Sequence, residues 1–371
     1  MIEVKESIFD FDKKVWNDLV PDNHPFLKYE FFQALEESKC IGAESGWLPF
    51  YLTSPSGVLP IFLKSHSYGE FIFDWSWAQA YEKYRLPYYP KLTCAIPHSP
   101  VSAPKLITTK SDQTISDFLP TIEELSKKYN CSSYHFLFTT QKESQALRGA
   151  GIQERHSIQF HWQNRQYSNF NDFLNSLKKD KRKNIKKERE KLHASDIRII
   201  QKTGNEISKT DADFLAKVYL KTIEKKWSQA YLNQDFFTRW LDYQKEQIIL
   251  FIAYDNDSPI ACAIHLKSDT TLYGRYWGCL KDIPFLHFEL CYYLAIEFAI
   301  KHKLEFVEAG AQGEQKLLRG FEPVTILSHH KIMHTGFARA IHTFIENEKE
   351  QLAQLKIEYE KALPFKKTSA Q

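Results

Sequence analysis

IILFIAYD (248–255), PIACAIHLKS (259–268) and TLYGRYWGC (271–279) follow one another with only short polar turns between them. Each is rich in β-branched and aromatic residues, and each turn carries Asp, Asn or Ser, so the three read as a meander of strands. FLHFELCYYLAIEFAIKH (285–302) comes next, apolar at helical spacing, then the strand LEFVEAG (304–310). The loop GAQGEQKLLRGFEP leads into a last strand, VTILSHHKI (324–332). Three strands, a helix, a strand, a loop and a strand is an α/β order built on a mixed sheet.

Working outward, the rest of the chain repeats this grammar. WLPFYLTS (47–54) and GVLPIFLKS (57–65) form a hairpin around Pro55-Ser56-Gly57, and helices are expected at 73–87, 112–130 and 142–151, with strands at 92–107, 133–140 and 157–164. Eleven of the 15 prolines precede residue 121, which suits short strands and crossing loops in the first half. Further on, Phe170, Phe173, Leu174, Leu177, Ile185 and Leu192 make one apolar stripe, so a single helix is expected over 170–193. A strand at 196–202 and helices at 211–226 and 235–245, joined by WSQAYLN (227–233), lead back to the meander. A charged amphipathic helix over 336–361 closes the chain. Two α/β domains are expected, 1–160 and 161–371.

Composition bounds the function. The 371 residues are 43% hydrophobic and 26% charged, ordinary for a globular chain. No window is apolar enough to span a membrane. The opening MIEVKESIFDFDKK mixes charges from residue 3 and has no apolar signal core, so a cytoplasmic location is expected. Six scattered cysteines are read as reduced thiols, with 262, 279 and 291 in the core. Residues 1–160 carry 16 basic and 19 acidic side chains, whereas Lys178–Lys191 alone holds nine basic and three acidic. One basic element on a neutral body is not a general polyanion binder. The run reads as a solvated face or as a phosphate contact through Lys183, Lys186 and Lys187.

The element order of 247–332 is that of the acyl-transferring GNAT-type fold, in which central strands splay and admit an acyl donor. Such a fold usually cradles coenzyme A pyrophosphate in a glycine loop between the third strand and the helix. Here that position reads GCLKDIPFLHFE (278–289), with one glycine, which weighs against coenzyme A. FVEAGAQGEQKLLRGFEP (306–323), the helix before it, FDWSWAQAYEKYRLPYYPKL and KKWSQAYLNQDFF resemble a bacterial peptidoglycan biosynthesis/recognition family related to Fem-type peptidyltransferases. The resemblance covers nearly the whole chain. It implies two tandem GNAT-like domains and transfer of an amino acid from aminoacyl-tRNA to the amine of a cell-wall precursor peptide. The family's turn-and-basic-residue pattern matches at Gly310, Gly313, Lys316, Arg319, Gly320 and Phe321. Its first-domain substrate lysine and arginine have no clear counterpart.

Read for themselves, Gly310 and Gly313 let the backbone approach a ligand, and Lys316 and Arg319 stand three apart as anion-binding candidates. Amine acylation needs a base, for which Glu308, Glu289 and Glu314 are the candidates. Tyr276, Trp277 and Phe321 are candidate cleft-lining rings. His329, His330 and His334 lack a completing carboxylate or cysteine, so no metal is expected, and no cofactor beyond the acyl donor (aminoacyl-tRNA or acyl-coenzyme A) as co-substrate. Two functional classes stand side by side. One is an acyl- or aminoacyltransferase acting on an amine, with a cell-wall precursor and tRNA as partners. The other is a non-catalytic protein binding a peptidoglycan precursor or another anionic ligand.

Overall fold

The computed structural model describes residues 2–225, 229–311 and 313–366. Trp227 and Ser228 of the expected aromatic loop lie outside them. Thirteen strands form among the described residues: β1 (Glu3–Lys5), β2 (Trp47–Ser54), β3 (Gly57–Lys64), β4 (Lys91–Cys94), β5 (Ile107–Thr108), β6 (Ser133–Thr139), β7 (Gln153–Gln163), β8 (Ile197–Thr203), β9 (Ile248–Asp255), β10 (Ser258–Lys267), β11 (Thr271–Cys279), β12 (Phe306–Glu308) and β13 (Glu322–Ile332). The chain divides into two compact units, 1–158 with 325–355, and 159–324 with 356–371.

In the first unit the strand order is β1-β2-β3-β4-β6-β13-β7, with the short β5 on β3. The β2–β3 hairpin is in continuous antiparallel register from Trp47↔Lys64 to Ser54↔Gly57, and β4 runs parallel to β6. Phe50, Leu59, Ile61, Leu92 and Phe136 pack with Phe118, Ile122 and Leu147 from the helical segments to make the core. The expected second domain, 161–371, therefore gives up 325–355. Those residues belong to the first unit because β13 supplies the antiparallel partner of β6, from Leu327↔Thr139 to Ile332↔Ser133. The helix Thr335–Ala362 then buries Ile341 and Ile345 against Trp77 and Tyr81.

In the second unit the order is β7-β12-β11-β10-β9-β8, antiparallel except for the β11–β12 pair. The meander is the one expected, with β9 and β11 at the expected bounds. The expected helix over 170–193 is instead two, Phe170–Ser176 and Lys179–His193. Leu177 between them makes a bridge to Phe365, and the Lys178 N–H donates to Pro364 O at 2.8 Å. A backbone tied into that bridge cannot also continue the helical ladder.

Candidate active site

β11 and β12 pair over only three residues, Thr271↔Phe306 to Tyr273↔Glu308. Beyond them the strands part. At the same point β11 carries a bulge: Ala263 faces Trp277 and His265 faces Gly274, so Arg275 and Tyr276 together stand opposite Ile264. A bulge takes backbone groups out of the ladder and re-aims the side chains beside it. At Gly274 the backbone packs closely on its neighbours, and a Cβ would come within 3.3 Å of the His265 ring and 3.5 Å of Glu308 O.

The gap opens into a cavity of about 90 Å³. Its walls are His265 from β10, Arg275, Tyr276 and Trp277 from the bulge, Ala309 past β12, and His287, Cys291 and Tyr292 from the helical segment at 286–301. That helix is not regular. A π-turn spans Glu289–Tyr293, the kind of distortion that recurs at functional sites. It is pinned at both ends. The Glu289 carboxylate accepts from Arg189 at 2.6 and 3.0 Å, and the Tyr293 hydroxyl donates to Glu188 while accepting from Arg319 Nε at 2.9 Å. Cys291 and Tyr292 sit between those anchors and face the cavity.

His265 is fully buried, and neither ring nitrogen meets a hydrogen-bond partner of good geometry, although the Cys291 backbone comes within weak hydrogen-bonding reach of the ring. Burial holds this imidazole neutral, with its pKa lowered to about 4. At the end of β12, Glu308 lies 3.7 Å from His161 Nδ1 on β7, whose Nε2 pairs with Gln159 at 3.2 Å. His161 is also held neutral by burial and by Lys316, at about 4. The Lys316 ammonium is buried and donates to Gly310 O at 2.8 Å, which the left-handed Gly310 (φ 80°) turns toward it. Burial lowers its pKa to about 8, against an opposing pull from Cys291. Lys316 thus lies within electrostatic reach of both His161 and Cys291, and Glu308, at the end of β12, pairs in register with Tyr273 and His161.

The other sequence candidates lie elsewhere. Glu289 is buried, and its carboxylate is bound by Arg189 in a bidentate ion pair that makes it an anchor of the helix. Glu314 accepts from the Tyr359 hydroxyl at 2.5 Å on the surface. Phe321 is fully buried against Tyr292, a core ring. Gly313 (φ 118°) starts a 3₁₀ turn, Glu314–Arg319. Arg319 does not share a space with Lys316. Its Nη2 meets both Glu188 oxygens at 2.9 and 3.0 Å, its Nη1 donates to Gln315 O, and its guanidinium lies 3.4 Å from the Phe288 ring centroid. Arg319 is a structural cation. Arg319→Ala should therefore cost about 2–3 kcal/mol in urea unfolding, the range for charge-assisted bonds lost around a partly solvated carboxylate; a loss under about 0.5 kcal/mol would contradict this. Lys183, Lys186 and Lys187 are exposed on Lys179–His193 and form no ion pair with the described residues.

His161 and His265 were not singled out from the sequence, because a lone histidine in an apolar strand reads as a core residue. The one available signal was register: His265 faces a strand glycine and His161 faces Glu308. Gly278, the single glycine of the stretch 278–289, lies within β11 and has a packing role. A Cβ there would sit 2.2 Å from Val218 O on the helix Lys209–Lys225. The segment before residue 286 thus offers no glycine cradle for a pyrophosphate. A larger cavity, about 240 Å³, lies in the first unit between Pro104–Thr114 and Thr140–Ala146, but Glu143 beside it is engaged by Thr140 and by the Lys105 and Leu106 amides.

Three comparisons place this geometry among known proteins. FemX superposes with a TM-score of 0.56 at 10% identity, over 92% of this chain and 100% of that one. A conserved protein of unknown function from Bacteroides thetaiotaomicron follows at 0.54 and 11%, over 90% and 100%. L-PGS from Bacillus licheniformis gives 0.51 and 9%, over 85% and 96%. At such identities these matches establish the fold alone, a mixed α/β architecture shared with FemX over nearly the whole chain. No curated protein matches the sequence. The model of the FemAB-like family, described as peptidoglycan biosynthesis/recognition, matches residues 7–367, and the chain belongs to that family.

Proposed function

We propose that the second unit transfers an acyl or aminoacyl group from an activated donor to the amine of a peptidoglycan precursor, at the opening between β11 and β12. The observation that carries this reading is the convergence there of a strand bulge, a buried lysine and a neutral His161 beside Glu308. As the amine attacks the donor carbonyl, negative charge grows on its oxygen. The bulge amides and Lys316 are the groups suited to stabilise it, and in a dry site such donors act strongly. The attacking nitrogen becomes acidic as its bond to carbon forms. Its proton passes to His161, and Glu308 stabilises the imidazolium. The missing glycine cradle favours a donor other than coenzyme A. The unpaired lysines 183, 186 and 187 suit the phosphates of aminoacyl-tRNA.

Amide formation followed by mass spectrometry tests this, with aminoacyl-tRNA or acetyl-coenzyme A as donor and amine-bearing peptidoglycan peptides as acceptors. His161→Ala should slow a productive pair by about 10²-fold, the lower range for loss of a proton acceptor. Donor-induced melting shifts should be retained. Undiminished turnover in His161→Ala removes the assigned base. Binding without turnover by the wild type returns the protein to the non-catalytic class.

A further inference from the structure

Cys291 was expected in the core, yet it stands in the wall of the cavity at the β11 bulge. We infer that Cys291 is a nucleophile that carries the acyl group as a thioester before transfer to the amine, with His265 as the base that takes its proton. This inference rests on the transferase reading above and deepens it.

Four observations converge. The π-turn Glu289–Tyr293 orients Cys291, and its two anchored ends leave the thiol little freedom to turn away. His265 lines the same cavity, is fully buried, and has no side-chain hydrogen-bond partner among the described residues and no well-formed hydrogen bond on either ring nitrogen, while the Cys291 backbone lies within weak hydrogen-bonding reach of the ring. The unprotonated ring nitrogen of a neutral imidazole is an acceptor, and the thiol S–H is a donor that can satisfy it and be aimed at its base. Burial pushes the Cys291 thiol up, so it rests protonated and needs that base; the nearby Lys316 ammonium pulls it down as charge develops. Finally, the cavity of about 90 Å³ accommodates a few heavy atoms, the size of a small acyl or aminoacyl group.

The step balances. The S–H proton goes to His265 as the sulfur–carbonyl bond forms. The bond to the donor's leaving oxygen breaks, and that oxygen takes the proton from His265. In the second half, the amine attacks the thioester, the carbon–sulfur bond breaks, and the amine's proton passes through His161 to restore the thiol. The net reaction is donor ester plus amine giving amide plus donor alcohol, with no redox change.

The probe is p-nitrophenyl acetate, a small activated ester, applied to the full chain. One acetyl group is expected at Cys291 by peptide mass mapping, with a burst of p-nitrophenol approaching one per chain and release by neutral hydroxylamine. Cys279 is the other partly exposed thiol and serves as the internal control, because it lacks a cavity histidine. Cys291→Ala should lose the burst. His265→Gln should slow it at least tenfold without a change in melting temperature. A modification spread over both thiols, or a burst that survives in Cys291→Ala, overturns the inference. So does amide formation by Cys291→Ala at the wild-type rate, which would leave the transferase reading standing with direct transfer. A hydroxylamine-sensitive thioester at Cys291 in a protein that acylates no amine supports the covalent step and counts against the transferase reading instead.

Discussion

Lys91→Met is expected to lower the stability of the protein by about 3–5 kcal/mol, the cost of removing one partner from a buried ion pair. Lys91 is fully buried at the start of β4. Its ammonium donates to Ser67 and Glu70, each at 2.8 Å, and to Asp74. Glu70 and Asp74 are themselves buried, and Asp74 accepts from the Tyr88 hydroxyl at 2.6 Å. The remaining cation, Lys64, lies 4.0 Å from Glu70 over the Trp47 ring, and burial lowers its pKa to about 7. It therefore cannot neutralise both acids alone. Methionine fills the same volume but leaves two carboxylates short of their shared cation. Urea unfolding should show the loss, and adding Asp74→Asn should recover part of it, because the second charge is then gone. The exposed pair Lys225–Asp282 is the control, worth less than about 1 kcal/mol. A loss that small for Lys91→Met would mean that the cluster contributes nothing.

Lys316→Met should have the opposite sign on stability and a large effect on activity. The lysine is 1% exposed and has a backbone carbonyl as its hydrogen-bond partner, with no ion-paired carboxylate among the described residues. A folded pKa near 8, below the ordinary 10.5, means the charged form is penalised in the native state. That penalty is fully present below pH 8. It fades as pH rises from 8 toward 10.5, where the unfolded chain binds the extra proton. Lys316→Met should thus stabilise the protein at pH 7 by about 1–2 kcal/mol, with the advantage gone near pH 10.5. Amide formation should fall between about 10²- and 10³-fold, the loss for one preorganised charge-stabilising donor. In the wild type, transfer should decline as pH rises through about 8. A variant both less stable and fully active would show that the lysine is structural.

The local parts of this account were legible in the sequence. Alternation and turn residues located β2, β3, β9 and β11 because each strand's pattern is set by its own residues and its neighbour across a tight turn. What failed to show was non-local. The apolar stripe resumes at Ile185 and Leu192 in phase with Leu177, yet the helix breaks there because residues near 364 claim its backbone. Lys316 and Arg319 look alike in GEQKLLRGF, but Glu188, more than a hundred residues earlier, captures only Arg319. Lys64 and Lys91 end two apolar strands, where a charge ordinarily reads as a solvated cap; their buried acids come from the intervening loop. The π-turn left no mark on the 3.6-residue period. Its signature is the trio Glu289, Cys291 and Tyr293, whose partners lie on the helix Lys179–His193, on the turn Glu314–Arg319 and around the cavity.

The most direct test of the central claim is hydrogen-exchange mass spectrometry with acetyl-coenzyme A, aminoacyl-tRNA and peptidoglycan peptides added in turn. At least one donor is expected to slow exchange in the bulge at 274–277 and in the segment 308–316, and Lys316→Met should abolish that protection. Protection confined to 104–115 and 140–146, around the larger cavity of the first unit, would contradict the assignment of the site.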